Sequence, residues 1–188
     1  IGTGSIAERF VPEAKFVSCN TVSTAFNPDT EECLRFCTAN GIPFAAKTLD
    51  ELLEDCDAVY IASPHYTHFN YARAALTAGK HVLCETPFVL RHAEAQELFS
   101  IAEDNGTTLM VAHKTAYCPA FRHLVSTLKS GAIGKIVDIN ASVTTLTDEK
   151  SSKLDHNKFG GSMNENACFP LLPVIKLLGC DVRDVNFY

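Results

Sequence analysis

The sequence predicts an α/β protein: a doubly wound parallel sheet over residues 1–113, followed over 114–188 by part of an α+β domain. Three observations predict it. Helix and strand signals alternate regularly through the first half, without an internal repeat. A glycine-rich turn, Gly2-Thr3-Gly4-Ser5-Ile6-Ala7, stands where a first strand would pass into a first helix. Beyond residue 113 the pattern changes to a helix and then a long alternation of apolar and polar residues.

Each element has its own signal. Residues 16–26 read as a strand, and Asn27-Pro28-Asp29-Thr30-Glu31 then supplies an N-cap, a proline at the first helical position and early acids that suit the helix dipole. That helix stops at Asn40-Gly41. Thr48-x-x-Glu51 is a capping box opening a short helix, and residues 57–63, DAVYIAS, form a short apolar strand of the kind buried on both faces. Residues 66–78 have helical spacing and end at Gly79; 80–85 form a strand, 91–105 a helix closed by Gly106, and 108–113 the last strand of the series. In the second part, 119–129 read as a helix and 135–146 as an antiparallel strand with one wet face. Residues 147–159 are polar and read as a loop. Residues 162–179 form a helix that Pro170 and Pro173 should kink or split, and 184–188 open a further strand.

Bulk properties narrow the function. The 188 residues carry a net charge of -6 with no run of lysine and arginine, which argues against nucleic acid or an anionic membrane as partner, because phosphate binding needs clustered positive charge. No stretch approaches the roughly 18 to 20 apolar residues of a membrane span, and a cytoplasmic protein is expected. Eight cysteines fall in no C-x-x-C pair and sit mostly in apolar runs, so reduced, buried thiols are expected. The chain opens on Ile1 with its first motif at Gly2, which suggests a segment lacking most of an opening strand and the later part of its second domain.

The glycine turn carries the first chemistry. Gly2-x-Gly4-x-x-Ala7 lets the backbone approach a pyrophosphate, whose charge a helix N-terminus stabilises. An acid about 20 residues on, at the end of the second strand, would bind the adenosine ribose, and an arginine there would take a 2′-phosphate. The strand ends Thr24-Ala25-Phe26, with neither, so NAD and NADP are both admitted and little discrimination is expected. His65 and His68 can share a face on an early helical turn, but no acidic or thiol partner is local and no metal is expected.

The stretch 57–87, DAVYIASPHYTHFNYARAALTAGKHVLCETP, resembles the signature of the glucose-fructose oxidoreductase, inositol dehydrogenase and rhizopine-catabolism (Gfo/Idh/MocA) family, which runs from an I-A-T-P turn to an E-K-P turn. GGSMNENACFPLLPVIKLLG, residues 160–179, and SGAIGKI, residues 130–136, are similar to two further motifs of that family. The resemblance implies an N-terminal Rossmann domain and a C-terminal α+β domain with an open, mainly antiparallel sheet that commonly supports homo-oligomers. It also implies hydride transfer between NAD or NADP and a hydroxyl of a sugar, cyclitol or related polyol. By position, Gly2, Gly4, Ser5 and Ile6 would face the pyrophosphate, Ser63, Pro64, His65 and His68 would lie around the nicotinamide half, and Glu85 would sit at the nicotinamide ribose. Pro87 would turn the chain so that residue 86 points at the nicotinamide.

The departures concern proton transfer. Thr86 stands where the family has the E-K-P lysine, Glu165 where it has aspartate, and Phe169 where it has tyrosine or histidine. Phenylalanine moves no proton. Lys114, just after the last Rossmann strand, is the candidate replacement, with Glu165 and His65 as helpers. The alternative is a catalytically inactive nucleotide- or ligand-binding member with a regulatory role.

Overall fold

The structure, a computed structural model, describes residues 1–148, 154–155 and 158–186. The chain divides into two compact units, Ile1–Ala112 and His113–Tyr188.

The first unit is built on short parallel strands: β1 (Thr24–Phe26) pairs with β2 (Phe44–Ala46), and β3 (Ala58–Ile61) with β4 (His81–Cys84), which pairs in turn with β5 (Leu109–Val111). Residues 1–2 join the two ladders. The Ile1 nitrogen donates to the Tyr60 carbonyl at 2.7 Å, Ala62 N–H to the Ile1 carbonyl at 2.9 Å, and Gly2 N–H to the Phe26 carbonyl at 3.0 Å. The strand order is therefore β2-β1-(1–2)-β3-β4-β5, a doubly wound sheet whose switch point lies at the glycine turn.

Helices cover both faces. On one, Ala7 and Val11 of α1 (Ser5–Lys15) and Cys33, Phe36 and Cys37 of α2 (Thr30–Asn40) pack with Ala25 and Ile42. On the other, α3 (Leu49–Glu54) packs on β1 and β2, while α4 (His68–Thr77, entered through a 3₁₀ turn at His65–Thr67) and α5 (His92–Asp104) close over β3, β4 and β5. Register aligns Val59, Val82 and Leu109 in one buried row and Ile61 with Cys84 in the next. Burying aliphatic side chains such as Ile61, Leu76 and Leu98, all 0% exposed, stabilises by about 1.5–3 kcal/mol each relative to exposure. Among the described residues, every buried hydrophobic side chain lies between Ala7 and Leu109.

Local signals explain most boundaries, with corrections. The cap of α2 is Asp29, whose carboxylate accepts Glu32 N–H at 3.0 Å; Asn27 instead accepts Asp29 N–H at 2.9 Å, and Pro28 precedes the helix. Gly41 ends α2 with φ 61°, as a left-handed terminator should. At α3 the Thr48 hydroxyl accepts Glu51 N–H, while the Glu51 carboxylate reaches back to Lys47 N–H, one residue beyond the usual partner. The strand expected over 16–26 survives only as β1, because Phe16 and Val17 bond back to Glu13 and Ala14 in a last helical turn and Phe16 is 92% exposed.

The described part of the second unit is helical: α6 (Lys114–Tyr117), α7 (Pro119–Lys129), α8 (Ser162–Asn166) and α9 (Cys168–Leu178). The proline-bearing helix does split, but at Ala167, ahead of both prolines. Pro170 has no amide proton to return to Asn166, so a rung is missing next to the break. Residues 135–146 form no ladder among the described residues; Val137 and Leu146 are exposed there, and strand geometry needs a partner that this segment does not meet. The expected loop over 147–159 and the strand start over 184–188 fall partly outside the described residues. No helix among them is long and apolar enough to cross a membrane. Of the eight cysteines, Cys33, Cys37 and Cys84 are buried, but Cys19, Cys118 and Cys180 are exposed, more than the apolar runs around them led one to expect.

Candidate nucleotide site

In the first unit all parallel strands end on one edge, and the glycine turn, residues 62–64 and residues 85–87 follow strands there. Gly2 is required by the fold. Its φ is +97°, and a Cβ on it would lie 2.6 Å from the Ala62 carbonyl oxygen and 2.8 Å from Ser63 N, so any side chain meets backbone. Gly4 is different. Its backbone is ordinary and extended (φ −76°, ψ 178°), and a Cβ there would meet nothing within 4 Å. Gly4 is the N-cap of α1, with no side chain capping the helix, and Gly4, Ser5 and Ile6 are exposed. Such an end presents backbone N–H groups and a positive dipole to an anion. The residues present thus fit a dinucleotide: one glycine is explained by packing, and the other leaves open space beside an uncapped eleven-residue helix.

The two further loops are tied together from behind. His68, 1% exposed, sets Nδ1 2.9 Å from the Pro87 carbonyl oxygen and Nε2 2.9 Å from that of Ser63. A neutral ring carries one N–H, so one carbonyl receives a hydrogen bond at a time. Burial pushes the His68 pKa below the ordinary value, outweighing the carbonyls that favour its charged form. With both nitrogens engaged and the ring enclosed, His68 braces the two loops from behind. The Thr67 hydroxyl donates to the Pro64 carbonyl at 2.6 Å, so the 2.7 Å contact between Ser63 Oγ and Thr67 Oγ1 takes its proton from Ser63. Ser63 therefore keeps acceptor capacity. His65 is half-buried, with its ring edge-on to Tyr66.

Glu85 begins the third loop. Its Oε1 accepts the Tyr60 hydroxyl at 2.6 Å and its Oε2 the Thr86 N–H at 3.2 Å, while Phe10 of α1 stacks on Tyr60 with centroids 3.7 Å apart. Burial, then the hydrogen bond and charge of Glu85, raise the Tyr60 pKa far above the usual phenol range, so Tyr60 remains a donor that fixes the carboxylate. Reading the sequence for strands alone missed this role. The available signal was period two: Tyr60 pairs with Leu83, and Glu85 lies two residues further along the same face. Thr86 and Pro87 are half-buried, joined by a cis peptide.

The proton-transfer candidates of the second unit are disposed differently from expectation. Lys114 opens α6 exposed, without the partial burial that would set it apart from a solvated lysine; Glu165 is half-buried in the first turn of α8. His113, the residue before Lys114, has more definite chemistry. Its Nε2 lies 3.0 Å from the Cys168 carbonyl oxygen, so that nitrogen carries the proton, and its ring sits edge-on to Phe169 at 5.2 Å. Nδ1 is then a lone-pair acceptor, and it is buried with no hydrogen-bond partner among the described residues. The contact spans 55 positions, which no local sequence pattern reveals. No group of three or more histidine, cysteine or acidic side chains among the described residues is arranged to hold a metal ion.

Known proteins resemble this chain in sequence and fold. The Gfo/Idh/MocA family, described as an oxidoreductase family with an NAD-binding Rossmann fold, matches residues 1–113. The chain is 32% identical over 194 residues to scyllo-inositol 2-dehydrogenase (NADP(+)) IolU of Bacillus subtilis, covering 99% of the chain and 59% of that protein. It is 34% identical over 191 residues to dTDP-3,4-didehydro-2,6-dideoxy-alpha-D-glucose 3-reductase of Streptomyces violaceoruber, covering 97% and 54%. The crystal structure of KijD10, a 3-ketoreductase from Actinomadura kijaniata in complex with NADP and TDP-benzene, superposes with a TM-score of 0.86 at 28% identity, over 95% of this chain and 56% of that one. The chain thus spans little more than half the length of these relatives.

Proposed function

Because the chain belongs to the Gfo/Idh/MocA oxidoreductase family, we propose that the whole protein is an NAD(P)-dependent oxidoreductase acting on a hydroxyl, or the corresponding ketone, of a sugar, cyclitol or related polyol. Gly4 carries this reading. Nothing in the fold demands glycine there, whereas a diphosphate approaching the N-terminus of α1 does. The relatives named for work on cyclitol and nucleotide-linked sugar substrates support the substrate class. Homo-oligomers remain part of the proposal, by resemblance alone.

Bound nicotinamide supplies the hydride acceptor or donor; the chain's own groups hold and move the rest. Backbone N–H groups of Ser5 and Ile6 face the diphosphate. Ser63 and Pro64 line the nicotinamide half on a loop that His68 braces, and Glu85, fixed by Tyr60, accepts from the nicotinamide ribose. Thr86 supplies no charge beside the ring, and Phe169 no proton. The hydroxyl proton therefore passes to another side chain: Lys114, with Glu165 and His65 assisting, or His113, favoured as a second reading by a buried Nδ1 that has no hydrogen-bond partner among the described residues.

Two measurements on the full-length protein test the reading: fluorescence titration with NADH and NADPH, and nicotinamide reduction or oxidation across a panel of sugars and cyclitols with their ketones. Binding with turnover is the expected result. Binding without turnover on the panel favours the inactive, regulatory member instead, which the substituted Thr86 and Phe169 would suit. A protein that binds neither nucleotide refutes the nucleotide site.

A further inference from the structure

We propose that Glu32 selects NAD over NADP in the dinucleotide site described above, an inference that rests on that reading of the glycine turn. Thr3 lies inside the turn between Gly2 and Gly4 and is 8% exposed. Its hydroxyl donates to Glu32 Oε1 at 2.5 Å and accepts from Asn27 Nδ2 at 2.5 Å. Asn27 Oδ1 accepts Asp29 N–H at 2.9 Å, which fixes which end of the amide faces Thr3. The three side chains form one directed chain, amide to hydroxyl to carboxylate, whose last link is charge-assisted.

This network sits where the adenosine ribose is read. Asn27 is the first residue after β1, and the end of that strand is where a dinucleotide fold discriminates a 2′-hydroxyl from a 2′-phosphate. Strand-end reading finds no acid and predicts no preference. The tertiary structure brings an acid in from α2, five residues beyond Asn27, and ties it to the glycine turn. A carboxylate accepts hydrogen bonds and cannot donate them, so it suits a diol and opposes a phosphate carrying about −1.5 to −2 charges. No compensating cation is near in sequence: the residues from Phe26 to Glu32 include Asp29, Glu31 and Glu32 but neither lysine nor arginine.

The test is the ratio of NADH to NADPH affinity, measured by fluorescence titration and calorimetry on the full-length protein. The wild type should bind NADH at least about tenfold more tightly, a gap of about 1.4 kcal/mol, and the gap should narrow with added salt as the repulsion is screened. Glu32→Gln keeps an oxygen for Thr3 but removes the charge, and should bring the ratio to within about threefold of unity by tightening NADPH, a shift of about 0.7 kcal/mol or more. Thr30→Lys places a cation at an exposed position of the same helical turn and should also tighten NADPH; it guards against a folding defect in the first variant. NADPH bound as tightly as NADH by the wild type, or a ratio unmoved by both variants, overturns the role of Glu32 while leaving the dinucleotide site standing. Absence of binding by either nucleotide overturns the site itself and this role with it.

Discussion

At Gly2 and Gly4 the same residue type answers two different demands. Gly2 needs a positive φ and has backbone 2.6 Å from where a Cβ would go; Gly2→Ala should therefore cost the fold of order 1–3 kcal/mol, read as a lower urea midpoint. Gly4→Val, with open space around it, should lower the melting point by no more than about 2–4 °C, about 1 kcal/mol for a poorer N-cap, yet lose at least a hundredfold in NADH affinity, about 2.7 kcal/mol. Equal loss of stability in the two variants would mean that Gly4 serves packing. His113 and Lys114 can be separated in the same manner. His113→Gln keeps a donor for the Cys168 carbonyl but replaces the basic ring nitrogen with an amide that takes up no proton at neutral pH, whereas Lys114→Met removes an exposed ammonium. Whichever residue takes the hydroxyl proton, its variant should lose about 10²- to 10⁴-fold in turnover with little change in nucleotide affinity. Turnover unchanged in both would discard both as the proton acceptor.

Among the elements, the 3₁₀ turn and α4 act as a brace because His68 reaches one carbonyl in each of two loops. Its lowered pKa gives a pH signature with a definite sign. The folded ring resists protonation below the ordinary value of 6.5 while the unfolded ring accepts it, so stability falls as pH drops through that value and levels off beneath the folded pKa. Comparing urea midpoints at about pH 7.5 and about pH 5.5 should show a larger loss in wild type than in His68→Asn, which cannot titrate. Parallel losses would show that the ring is protonated in the folded state, bonding both carbonyls at once.

Across the whole molecule, cysteine chemistry should follow burial. The Cys84 thiol is pushed up to about 12, first by burial and then by the Glu85 carboxylate, and Cys37 to about 11 by burial and its neighbour Cys33. Alkylation at neutral pH with mass-spectrometric mapping should label Cys19, Cys118 and Cys180 at least about tenfold faster than Cys37 and Cys84, since the thiolate is the nucleophile. Rapid labelling of Cys84 would show that the sheet edge under Glu85 opens readily.

The sequence by itself determined β1, β3, β4 and β5 with the helices between them, the glycine turn, the α3 capping box and the family signature, because each depends on neighbours within a few residues; the three-residue β2 carried no signal of its own and was not expected. It also located Glu85, Thr86 and Pro87. It misplaced the N-cap of α2 by two residues and extended β1 back to Phe16, because caps and strands are decided by which hydrogen bonds the fold makes available. Only the tertiary structure could set apart Gly2 from Gly4, make His68 a brace between two loops, pair Tyr60 with Glu85, carry Glu32 to Thr3 and leave Nδ1 of His113 without a partner among the described residues. These contacts join positions from 5 residues apart, His68 with Ser63, to 60 apart, Gly2 with Ala62. Hydrogen bonds and steric contact act over a few ångströms in space, so such relations exist only once the sheet has brought its strand ends to one edge and the helices have packed on one another.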